Sequence, residues 1–151
     1  GVYEDGTPSE IFDNPKREKT IRFIKHLKVF ETLITTKDFD FIGFNTSLEE
    51  FGRKNQVAQR AILRAQAVFE ELGVQIILPE LAGDFKLSVA LEYSQDEETL
   101  TMVLKYDGKY FDVKESDNIL SLKLAQNASH SIDYAQVNEN GFTNLVTVKI
   151  K

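Results

Sequence analysis

The feature that most limits how this chain can fold is a change of hydrophobic period partway along it. Between Asn55 and Pro79, apolar residues recur at steps of three and four: Ala58, Ala61, Ile62, Ala65, Phe69, Leu72 and Ile76. That spacing is the stripe of a helix with one face turned to a core. From Phe85 the period becomes two. Leu87, Val89, Leu91 and Tyr93 alternate with Lys86, Ser88, Ala90 and Glu92, and Leu100, Met102, Leu104 and Tyr106 repeat the alternation. The polar stretch Ser94–Glu98 between these runs completes an antiparallel hairpin. A helix stripe and a half-apolar hairpin each need a surface to bury against, and each supplies one to the other.

The remaining segments extend the pattern. Asn14-Pro15 is a helix-start signal, and Phe23, Ile24 and Leu27 follow at helical spacing. Residues 28–36, rich in β-branched side chains, read as a strand. Phe39, Phe41, Phe44 and Phe51 crowd the next stretch, where Ser47 and Glu50 have capping-box form and predict a short helix starting at Ser47. A helix is expected over about 116–128, capped by Ser116 or Asp117, with Leu120 and Leu124 among its apolar positions. The last two strands meet at Asn140-Gly141, a strong tight-turn signal. The predicted class is α+β, a two-layer sandwich with a mostly antiparallel or mixed sheet covered on one face by helices.

Composition narrows the function. The 151 residues contain no cysteine, so disulfides and thiolate metal sites are excluded. The net charge of -6 argues against a nucleic-acid partner. The basic block Lys16, Arg17, Lys19, Arg22 and Lys25 is interleaved with Glu18 and reads as a solvated helix face. No apolar run approaches membrane-spanning length, so no direct membrane insertion is expected. His26 and His130 lack acidic partners at ligand spacing and read as surface or structural residues. Ser129-His130-Ser131 has no elbow glycines, and no phosphate-binding P-loop occurs.

Two resemblances bear on function. The opening run, with Gly6-Thr7-Pro8, Glu10-Ile11-Phe12 and Asn14-Pro15, resembles the end of the ATP-binding subunit of a polar-amino-acid ABC importer over residues 1–26. None of the phosphate-binding or signature motifs of such a subunit is in the chain. The resemblance implies that residues 1–27 are the C-terminal tail of an ABC ATPase domain and that residues 28–151 are an appended accessory domain. It implies as partners the rest of that subunit and the transporter permease, in the cytoplasm and peripheral to the cell membrane.

The second resemblance covers about residues 28–151. Phe69–Pro79, then Tyr106–Asp112, then Ile119 onward are similar, in this order, to the ATP-binding domain shared by histidine kinases, anti-sigma kinases, gyrase and Hsp90. In that family a helix presents two residues four apart, the second reaching Mg²⁺; here Glu71 and Gln75 hold the spacing. An Asp-x-Gly-x-Gly box reads adenine; here Asp107-Gly108 falls in its place, with Gly108 one residue early and the second glycine missing. A Gly-Leu-Gly-Leu box opens a phosphate-binding helix; here it is Ile119-Leu120-Ser121-Leu122, without either glycine.

Seven residues between Phe111 and Ile119 are too few for the family's lid. The departures imply a catalytically degenerate domain with no cofactor of its own, acting by contact or ligand sensing. The alternative is a nucleotide-binding, anti-sigma-type kinase domain using ATP and Mg²⁺, with Glu71 as base, Gln75 toward the metal and Asp107 and Gly108 at the base. A third reading is a dimerisation module, in which an edge of the sheet pairs with a second copy.

Overall fold

The computed structural model describes residues 27–151. Both resemblance-bearing features of the first 26 residues, the importer-like run and the basic block with His26, lie outside the described residues, as does most of the helix predicted to start at Pro15. The described chain is α+β, with a five-stranded open antiparallel sheet and helices against one face. Strand β1 is Leu27–Ile34, β2 Leu87–Ser94, β3 Thr99–Tyr106, β4 Ser129–Glu139 and β5 Phe142–Ile150. Their order across the sheet is β1-β2-β3-β5-β4.

Helix α1 is Phe41–Asn55, six residues earlier at its start than the capping box at Ser47 predicts. The reason is Asp40, whose carboxylate accepts the Gly43 N–H at 2.9 Å and so caps the helix first. Gln56, in the left-handed region at φ 59, ends α1 by donating to Arg53 and Gly52 carbonyls. Helix α2 follows, wound as α over Gln59–Val68, as π over Phe69–Ile77, and as a closing turn over Leu78–Glu80. The expected stripe is on its buried side at Ile62, Ala65, Phe69, Leu72 and Ile76.

The π winding is an i→i+5 ladder, of which the bond from the Leu78 N–H to the Gly73 carbonyl is one rung.

Helix α3, Ile119–Asn127, starts later than predicted, because the Asn118 side chain rather than Ser116 or Asp117 is its cap, accepting the Ser121 N–H at 3.2 Å. Its orientation also differs from the expectation. Leu122 and Ala125 face the core, while Leu120 is 69% and Leu124 43% exposed. Ser121, Leu122 and Ala125 recur at helical spacing too, and packing against α2 selects that smaller face.

The core lies between the helices and the inward residues of β2, β3 and β5. Register sets it in rows: Met102 opposite Val148 opposite Ile132, and Leu104 opposite Val146 opposite Tyr134. Phe69 anchors the helical side, with Phe44 stacked on it at 4.1 Å between ring centroids and Phe39 meeting it edge-on at 5.9 Å. Such aromatic pairs contribute about 0.5–1.5 kcal/mol each beyond simple burial. On β2 the alternation is incomplete, since Ser88 and Ala90 of its other face are also buried. The predicted turn at Asn140-Gly141 is present, with both residues at positive φ, 54 and 85, as a type I′ hairpin requires.

Candidate functional site

The same inward row that carries Val148 and Val146 ends on a polar residue. Asn144 sits in register with Tyr106, is 0% exposed, and belongs to a row whose other β5 members, Val146 and Val148, are apolar. A buried amide must be bonded to be tolerated. Its Nδ2 donates to the Lys109 carbonyl at 3.1 Å and to the Tyr106 carbonyl at 3.4 Å. Its Oδ1 accepts the Phe111 N–H at 2.9 Å and the Tyr134 hydroxyl. One side chain thus fixes the loop that follows β3 from behind.

The loop has three further ties. The Tyr106 hydroxyl donates to the Phe111 carbonyl, closing the loop across its base. The Thr143 hydroxyl donates to the Gly108 carbonyl at 2.7 Å. Asp107 accepts the Lys86 N–H on Oδ1 at 3.1 Å, while its own N–H reaches the Lys86 carbonyl at 3.4 Å. Gly108 takes φ +87, a conformation glycine adopts without strain.

Burial pushes the Tyr106 phenol far above the ordinary tyrosine value, with Tyr134 and Asp112 adding to the shift. Tyr134 is also raised, first by burial. Both hydroxyls therefore remain protonated donors at neutral pH.

In front of this loop, between it and the segment leaving α2, lies a cavity of about 420 Å³. Its walls are Glu80, Leu81, Ala82, Asp84 and Phe85 on one side and Tyr106, Asp107, Gly108, Lys109 and Phe111 on the other. That volume is in the range of small-molecule pockets, and the lining mixes apolar surface with a few polar groups, as such sites do. The Lys109 ammonium is 3.8 Å from Glu80 at the exposed rim.

Of the residues singled out in the sequence, the structure brings Asp107 and Gly108 together in this cavity wall. Glu71 and Gln75 are on the π segment of α2, Glu71 half-buried and Gln75 exposed, and neither lines the cavity. Ile119 and Leu120 stand at the start of α3, where the Ile119 N–H is bonded to the Asp117 carbonyl and the Ser121 N–H to the Asn118 side chain. Asn144 and Tyr134 were not picked out from the sequence. The signal was there: Asn144 is a polar residue in an alternation whose other members, Val146, Val148 and Ile150, are all apolar.

Neither a family model nor a curated protein matches the chain. Among the described residues no helix is long and apolar enough to cross a membrane.

Proposed function

We propose that residues 28–151 form an accessory, catalytically degenerate domain of the ATP-binding subunit of an amino-acid ABC importer. The domain acts by contact or by sensing a ligand, in the cytoplasm, held to the membrane only through the transporter. The observation that carries this reading is the importer-like run of residues 6–15. The site supports the non-catalytic half of it. The Glu71/Gln75 pair and Asp107 do not share a cavity, and at the start of α3 the Ile119 and Ser121 N–H groups already have in-chain acceptors.

Deleting residues 28–151 from the full-length transporter tests the proposal. Altered regulation of ATP hydrolysis, or altered assembly, is expected; unchanged transport and hydrolysis would overturn it. A nucleotide-binding reading draws on Asp107 and Gly108 lining one cavity. Calorimetry with ATP and Mg²⁺ at millimolar concentration decides it, and absence of heat removes it.

A further inference from the structure

We infer that the cavity beside Asp107 takes an organic cation of the amine or guanidine class, an arginine-like molecule with an alkyl stem. That this ligand is what the domain senses rests on the function proposed above; the ligand class itself rests on the cavity alone.

Charge comes first. Three carboxylates, Glu80, Asp84 and Asp107, line the cavity against one ammonium, that of Lys109. Across a concave wall this net negative charge favours a cation over a polyphosphate. Lys86, the next nearest base by sequence, is turned elsewhere: its Nζ donates to the Asn140 carbonyl at 2.9 Å and lies 4.7 Å from the centre of the Phe142 ring.

The carboxylates are also spread out. Among the described residues no group of three His, Cys, Asp or Glu side chains converges on a point that could hold a metal ion. Separated carboxylates suit an extended ligand with its charge at one end, not a bare ion.

The floor supplies the rest of the recognition. Leu81 and Phe85 are buried and Phe111 is half-buried, all three lining the cavity. An alkyl stem laid on them is removed from water, and a cationic head over a ring face gains cation–π attraction. The wall needs no rearrangement to receive it. Asp107 is pinned by the Lys86 N–H, and Asn144 holds the loop carrying Gly108, Lys109 and Phe111. Pre-formed geometry lowers the ordering cost of binding. Lys109, 75% exposed at the rim, is placed to meet a ligand carboxylate.

The full chain titrated with arginine, with citrulline and with AMP tests this, read by calorimetry and by backbone amide NMR. Citrulline has the shape of arginine without its charge. Arginine is expected to shift the amides of Ala82, Gly108 and Lys109, with citrulline weaker by about tenfold or more. Asp84→Asn should weaken arginine by about threefold to fivefold with the unfolding midpoint unchanged. No amide shift at about 20 mM arginine, or citrulline or AMP binding as well as arginine, overturns the inference. If arginine does not bind while deletion of residues 28–151 still alters the transporter, this inference falls and the proposed function stands. If arginine binds and the deletion changes nothing, the proposed function falls and the ligand class stands.

Discussion

Two buried regions of this fold are held by opposite physics. Around Phe69, the helical side of the core is packed ring on ring and methyl on methyl. Around Asn144, at the end of the inward row of β5, burial is tolerated only because the groups are hydrogen-bonded. The first region resists a change of shape, the second a change of chemistry. A core of the first kind can relax when altered; a network of the second kind leaves orphaned donors and acceptors.

The comparison can be broken most forcefully at its apolar pole. Phe69→Ala removes the ring that Phe39 and Phe44 pack on and should destabilise the fold by about 3–5 kcal/mol, read by urea denaturation. A cost under about 1 kcal/mol would mean the helical layer is not packed as described. Asn144→Ala comes next, at about 2–4 kcal/mol, because Phe111 N–H, the Lys109 carbonyl and the Tyr134 hydroxyl lose a partner. Hydrogen exchange should localise the damage: the Phe111 amide loses protection while strand amides near Val148 keep theirs.

A smaller effect separates the two regions by pH. Tyr106 and Tyr134 titrate above the ordinary value of 10.0 in the folded chain. Below pH 10 both are protonated, folded or unfolded, and their contribution is complete. Above it the unfolded chain releases protons that the folded chain retains, so stability falls as pH rises. Denaturation midpoints at pH 9 and pH 11 should differ, and the double variant Tyr106→Phe with Tyr134→Phe should narrow the difference. The smallest effect belongs to α3, where Leu120→Ser should change stability by less than about 0.5 kcal/mol, since that side chain is in solvent.

How far each region was legible in the sequence follows the same division. Periodicity reads non-directional burial well, and the stripe on α2 and the β2–β3 hairpin follow from it, while the Asn140-Gly141 turn follows from local turn chemistry. It fails where two faces compete. On α3 the larger leucines at 120 and 124 outweigh Leu122 and Ala125 by composition, yet packing against α2 takes the smaller face. Local capping signals compete in the same way, and Asp40 acts before Ser47 can. The site was legible only by half. Asp107 and Gly108 stand out as a turn after a strand, but the residue that shapes their loop lies 35 positions from Lys109 in sequence. Only strand register brings it there.

That register has a kinetic consequence. Besides β1, the sheet consists of two hairpins, β2–β3 and β4–β5, joined along the β3–β5 seam. Each hairpin closes over a few residues, whereas the seam pairs residues 38 apart at Tyr106 with Asn144 and 48 apart at Thr101 with Lys149. Loop closure therefore costs more entropy at the seam than in either hairpin, and pairing of such long reach slows folding. The cavity wall is the end of that seam. It is completed only when the two hairpins meet, so a pulse-labelling experiment should find the Phe111 amide protected later than the amides within either hairpin during refolding.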